Sequence, residues 1–338
     1  MEKIPVYVGL DYHMSGVQVC VMDRSGTVMM NRGVSNHWKA IAMEVERYGT
    51  PVRTAIESCS GAANLADELV NQAGWSVDLA HPGYVSRMKQ NPDKSDFSDA
   101  RMLADLVRVG YLPRVWLAPA EIRELRLLVR YRQQLVDQRR HVKLRIGAIL
   151  REQRIGAGPA GRWSLPWIVW IKTNCDLSAQ GRWVIERHFE TLAELGVKIS
   201  AAEDQLAMVC GEDPLVQKLV GFKGVGYVTA WILRAEIGRF DRFATAKQLS
   251  RFCGLSPRNV SSGTRQADAG LIQAANKQLR CALIELAHRV SRYDGRWRQL
   301  SISMKQRGKP ASLVAAAVAN RWTRHLYNQM CPKPARAA

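Results

Sequence analysis

The sequence predicts an α/β unit followed by mainly helical units. Three observations carry this: short β-rich runs alternating with amphipathic helices over the first 117 residues, two long helical patterns after them, and a shift from acidic to basic composition between the two parts. A chain of 338 residues exceeds what one core ordinarily holds. The expected divisions are residues 1–117 as a catalytic α/β domain, 118–212 as a helical coiled-coil connector, and 213–338 as a C-terminal domain.

Three runs, VYVGLD, VQVCVMD and TVMMNRG, are separated by turns at residues 13–16 and 24–26 and read as a three-stranded meander. A helix over about 36–48 follows, then the strand PVRTAIE, a helix over about 62–72, the strand WSVDLA, and a helix containing SDARMLADLVRV. This βββαβαβα order is that of ribonuclease H-like (RuvC-like) folds, a mixed sheet opened by three antiparallel strands. Residues 119–154 form one long helical pattern with ten basic and four acidic side chains, so its polar face is positive. Trp163, Trp167 and Trp170 fall in a less regular stretch and read as packing residues. Residues 182–210 form a second long helix able to pair antiparallel with the first as a coiled coil. In GFKGVGYVTAWILRAEIG, Gly224 and Gly226 form a tight turn before a helix, which resembles a helix-hairpin-helix element and makes Lys223 a candidate phosphate contact.

The net charge is +19, unevenly placed: the first 110 residues hold 11 Lys and Arg against 13 Asp and Glu, the remaining 228 hold 38 against 17. Residues 251–309 alone carry twelve basic and three acidic side chains. A polyanion, nucleic acid, is the expected partner of the second part. The seven cysteines form no CxxC pair or zinc-type cluster and read as reduced, mostly buried thiols. With no signal-like h-region and no apolar run long enough to span a bilayer, the expectation is a cytoplasmic protein without a membrane partner.

Asp11 closes the first strand and Glu57 the fourth, and neighbouring strand ends lie close together. Asp96 and Asp99, three apart, share one face of the next helix. Singly, Asp11 reads as a turn residue, Glu57 as a surface acid and Asp96 as a helix cap. Together, in this fold order, the four read as a metal site, with Asp93 and Asp105 as alternative members. Like charges about 4 Å apart repel by roughly 4 kcal/mol at an effective dielectric near 20, so such a cluster calls for a cation or a proton. Mg²⁺ suits oxygen donors and phosphodiester chemistry.

GLDYH, AIES and KSDFSDARMLADL together resemble the Asp, Glu, Asp, Asp signature of the Piv/MooV-related DEDD insertion-sequence transposases, at Asp11, Glu57, Asp96 and Asp99. GVGYVTAWILRAEIGRF, FATAKQLSRFCGLSP, SSG and the N-x-x-LR run at residues 276–280 resemble the C-terminal domain of the same family, so the likeness covers nearly the whole chain. The resemblance implies a DNA transposase or recombinase with a RuvC-like acidic Mg²⁺ site and a serine nucleophile that forms a phosphoserine link to DNA. By motif position that serine is Ser262, with Ser261 as the alternative. It further implies a composite active site, dimers pairing into a tetrameric synapse, a structured bridge RNA that guides the choice of DNA, and a bacterial, nucleoid-associated location.

The chain departs from the family pattern at AGLIQAAN, where Gln273 stands for a lysine and Ala275 for a glycine; Arg258, Arg265, Lys277 and Arg280 are candidate substitutes for the lost DNA contact. Three other readings remain open. A RuvC-type junction endonuclease would use the acids with water and no serine. An actin-like ATPase shares the opening meander, although DYHMSG is not a glycine-rich phosphate loop. A nucleic-acid-binding scaffold would need neither acids nor serine.

Overall fold

The computed structural model describes residues 4–88, 95–259 and 268–331. They divide into two compact units, residues 1–119 and 120–338.

The first unit opens with β1 (Pro5–Tyr12), β2 (Val17–Met22) and β3 (Val28–Val34), then α1 (Trp38–Val45), β4 (Thr50–Glu57), α2 (Ala62–Ala73), β5 (Val77–Ala80), α3 (Pro82–Met88), α4 (Asp96–Arg108) and β6 (Arg114–Val115). The sheet order is β3-β2-β1-β4-β5-β6. β1 runs antiparallel to β2 and parallel to β4, β4 parallel to β5, and β5 antiparallel to β6. This six-stranded mixed sheet is consistent with the ribonuclease H-like expectation. The sequence reading missed α3 and the two-residue β6.

Strand alternation decides what each face holds. Val6, Val8 and Leu10 point into the core closed by Ile41, Val45, Leu65 and Leu69 of α1 and α2, and Ile56 of β4 joins them. The opposite face carries Tyr7 and Ala55 against Val85, Leu103 and Val107 of α3 and α4. Gly9 lies on that second face because only a bare Cα fits there: a Cβ would sit on the Ala100 carbonyl oxygen and the Ala104 nitrogen. Backbone therefore packs on backbone where α4 crosses β1.

The second unit begins with α5 (Ala120–Glu152), then α6 (Leu165–Thr173) and α7 (Ala179–Cys210). Arg132 of α5 pairs with Glu203 of α7 at 2.7 Å, and at the far end Gln153 receives the Ser178 N–H at 3.0 Å, so the two long helices run antiparallel. Between them Ile146, Trp167, Ile171, Ile185 and Phe189 form a core. The stretch holding Trp167 and Trp170 is therefore helical, α6, capped by Ser164 with Pro166 in its first turn, whereas sequence reading expected irregular chain.

α8 (Pro214–Val220), α9 (Tyr227–Ile237), α10 (Ala246–Phe252), the hairpin strands β7 (Pro257–Asn259) and β8 (Asp268–Leu271), α11 (Lys277–Tyr293), α12 (Gly295–Gln306) and α13 (Ala311–Met330) complete the unit. Ala230, Leu233, Leu249, Leu279, Leu283, Leu286, Val318 and Leu326 centre its main core. No described helix is long and apolar enough to cross a membrane.

Candidate functional site

The alternation that sends Leu10 and Ile56 to one face sends Asp11 and Glu57 to the other, the face on which α4 lies. β1 and β4 pair in parallel with Leu10 opposite Ile56, so the next residues of both strands, Asp11 and Glu57, emerge side by side at the carboxyl edge. α4 brings the other acids. Its cap is Ser95, whose hydroxyl accepts the Ser98 N–H, which makes Asp96 the first helical residue rather than the cap. A carboxylate there faces the positive end of the helix dipole. The Asn31 amide of β3 donates to the Phe97 carbonyl at 2.9 Å and fastens this end of α4 to the sheet.

Asp11, His13 and Asp96 each offer a ligand atom within 4.8 Å of the other two. His13 Nε2 lies 3.3 Å from an Asp11 oxygen and 3.4 Å from an Asp96 oxygen. The turn carrying His13 is held by the Asn36 amide, which donates to the His13 carbonyl at 3.0 Å. Asp99, one helical turn beyond Asp96, is buried at 5 % exposure. Burial pushes the Asp11 carboxyl above its ordinary range, against the charge and hydrogen bond of His13, and the Asp96 and Asp99 carboxylates push it further the same way. Cys59, two residues past Glu57, is likewise raised by burial and then by the fields of Glu57 and Asp11. The carboxylates thus share one electrostatic neighbourhood. Their closest members, two carboxylates and an imidazole, are a donor set that fits a divalent cation.

His13 escaped the sequence reading, although GLDYH contains it; its only signal was a position two residues past the acid at a strand end. Asp105 is turned to Arg108, whose guanidinium donates to it, and Asp93 lies outside the described residues.

Of the candidate nucleic-acid contacts, Lys223, Arg258 and Lys277 are exposed. Lys223 sits in the six-residue turn between α8 and α9, where Gly224 takes φ +85 and Gly226 caps α9 with no side-chain hydrogen bond to the first turn. Arg280 is turned inward instead, its guanidinium donating to the Ile272 carbonyl beside Gly254. Ser261, Ser262 and Arg265 lie outside the described residues, between β7 and β8, whose ends pair Asn259 with Asp268. Gln273 is exposed and Ala275 half-buried.

The end of the segment GVGYVTAWILRAEIGRF and the N-x-x-LR run, forty residues apart, meet through side chains. Glu236 of α9, 2 % exposed, accepts the Arg130 guanidinium through both oxygens at 2.8 and 3.0 Å and the Asn276 amide at 2.7 Å. Asn276 in turn caps α11 by accepting the Leu279 N–H.

Comparison with known proteins agrees on both halves of the chain. A transposase family model of the IS110 DEDD type matches residues 8–154, and the model of the transposase IS116/IS110/IS902 family matches residues 216–301. The chain is 27% identical to a probable family 20 transposase of Pseudomonas aeruginosa, over 97% of this chain and 98% of that protein. It is 26% identical to the transposase for insertion sequence element IS1111A of Coxiella burnetii, over 95% of this chain and 88% of the relative. It is 22% identical to the transposase for insertion sequence element IS1328 of Yersinia enterocolitica, over 94% of both.

Proposed function

We propose, on the premise that the chain belongs to the IS110/IS116/IS902 transposase family and is thereby a DNA-transposition enzyme, that it breaks and rejoins DNA using a serine nucleophile and a carboxylate-held Mg²⁺ site. The observation that carries this reading is the meeting of Asp11, His13 and Asp96 within 4.8 Å, in a neighbourhood whose acids already repel one another. Asp11, Glu57, Asp96 and Asp99 are the proposed metal-site residues, with His13 added to them.

When bound, the cation supplies charge neutralisation at the phosphodiester and polarises its oxygens. The chain's own residues do the rest. Burial shields the Asp11 and Asp99 carboxyls from water while Asp96 and His13 stay open to it, where substrate can approach, and Asn36 and Asn31 hold His13 and the start of α4 in place. Ser262 Oγ, with Ser261 as the alternative, forms a bond to phosphorus as the bond from phosphorus to one deoxyribose oxygen breaks. The serine hydroxyl gives up its proton and the departing sugar hydroxyl takes one. The reverse attack by another sugar hydroxyl rejoins the strand and frees the serine, so no external energy source is consumed. Basic side chains of the second unit, Lys223 in its glycine turn, Arg258, Arg265 and Lys277, grip the backbone, with the turn and α9 acting as a helix-hairpin-helix element. A structured RNA guide and pairing of dimers into a synapse complete the proposal, resting on the family likeness.

The test is incubation of the full chain with Mg²⁺, labelled DNA ends and RNA transcribed from the flanking locus, resolved on a denaturing gel. A DNA–protein adduct that vanishes with Ser262→Ala supports the reading. Free cleaved ends without an adduct, unchanged by that substitution, make the protein a junction endonuclease that uses water.

A further inference from the structure

One cavity outside the acidic site combines cations with an apolar floor. It lies where α5 faces the chain leading into α6, has a volume of about 280 Å³, and is lined by Arg140, Lys143, Arg151 and Arg162 around Leu144, Leu150, Trp163 and Trp167. No acidic residue lines it. From residue 138 to 151 α5 carries five Arg and Lys and no Asp or Glu, and none of the four lining cations joins a salt bridge among the described residues. Arg140, Arg151 and Arg162 are exposed. An ordinary solvated helix face mixes its charges, as the other end of this same helix does through Glu121 and Glu124.

Trp163 gives the cavity its shape. Its backbone takes φ +73, a conformation that bulky residues adopt only when their surroundings impose it. That geometry sets the indole 5.0 Å from Trp167 and places the Lys143 ammonium 4.8 Å from the ring centroid. Burial and the neighbouring Arg139 push the Lys143 ammonium below its ordinary range, a strain that an arriving anion relieves.

We propose that this cavity is a subsite for one unpaired nucleotide of a single-stranded segment, its phosphate among Arg140, Lys143, Arg151 and Arg162 and its base or sugar against the Trp163 and leucine wall. The inference rests on the nucleic-acid reading above and deepens it. The volume admits a single base and not a duplex, the apolar wall has no use for a bare phosphate, and the cluster of unpaired cations has no use for an apolar ligand. Aromatic walls beside a cationic track are how single strands are held without regard to sequence. DNA and RNA share this chemistry, and the experiment separates them.

Fluorescence polarisation of the full chain is read with labelled dT20, rU20 and a 20-base-pair DNA duplex over a range of salt. In Arg140→Glu/Arg162→Glu the expected result is a loss of about tenfold or more in single-strand affinity, with duplex affinity within about twofold. The slope of log affinity against log salt for the single strand flattens by about 0.7, the contribution of the one phosphate contact that the subsite makes on a single strand. Arg140→Gln/Arg162→Gln, conservative at exposed positions, shows a smaller loss in the same direction, and unchanged thermal melting excludes misfolding. Loss confined to rU20 assigns the subsite to RNA, loss confined to dT20 to DNA, and loss in both to either strand. Single-strand affinity within twofold of the unsubstituted protein overturns the proposal, as does an equal fall for strand and duplex. Adduct formation at Ser262 is scored separately, so failure here is distinguishable from failure of the transposition chemistry.

Discussion

Replacing Arg130 by alanine is expected to harm the protein more than replacing its partner Glu236. The pair is lopsided: the Glu236 side chain is 2 % exposed and that of Arg130 is 55 % exposed. Arg130→Ala strands a buried carboxylate that keeps only the Asn276 amide and the nearby charge of Arg126. Breaking a buried ion pair costs about 3–5 kcal/mol, and the remaining partners place this case at the low end, about 3 kcal/mol. Glu236→Ala removes the buried charge itself and leaves Arg130 free to turn to water, so its loss is mainly one charge-assisted hydrogen bond from Asn276, about 1.5–2 kcal/mol. For a unit of this size 1 kcal/mol moves the melting temperature by about 2–4 °C, so Arg130→Ala should melt about 6–12 °C lower. Thermal and urea unfolding of both single variants and the double variant at neutral pH and moderate salt measure this. The double variant should lose clearly less than the sum of the singles. If Arg130→Ala melts within about 2 °C of the unsubstituted chain, or the two effects add, the network does not hold α5, α9 and α11 together as argued.

Other expectations are as direct. Asp96→Ala should abolish DNA cleavage while leaving DNA affinity within about threefold, because the proposed grip on DNA is made by basic side chains of the second unit; normal cutting by this variant would dismiss the proposed metal site. Gly9→Ala should lower stability by about 2 kcal/mol or more, since its methyl meets the backbone of α4, and an unperturbed urea midpoint would contradict that packing. Alkylation at pH 8 should modify exposed Cys281 quickly and spare Cys20, which burial pushes up to about 11, so that little thiolate exists at that pH; equal rates at the two thiols would contradict the burial.

Much of the first unit was legible because alternation is a local signal. The odd-numbered positions of β1 and β4 could be assigned to one face before any coordinates, and the parallel pairing of the two strands then sets Asp11 beside Glu57. What escaped depended on length or on distance along the chain. β6 has two residues, too few for a period to register. α6 follows the glycine-rich stretch GAGPAG and is apolar on nearly all sides, so no helical stripe stood out. Arg280 looked like a phosphate contact because spacing reports a residue's charge but not whether a carbonyl such as that of Ile272 has claimed it. The Glu236 cluster joins positions 130, 236 and 276, and no local pattern links residues so far apart.

The absent side chain at Gly9 has a consequence for how the surroundings of the acidic cluster can vary. Where two elements meet through side chains, each exchange of a leucine for a valine resets the gap between them by a fraction of an ångström. Here α4 rests on β1 main chain to main chain, so the gauge between the strand that bears Asp11 and the helix that bears Asp96 and Asp99 is cut by peptide geometry alone. The surrounding core is free to drift in sequence without retuning that interval, and the position beside the acids that leaves no room for a side chain is one that contributes no functional group.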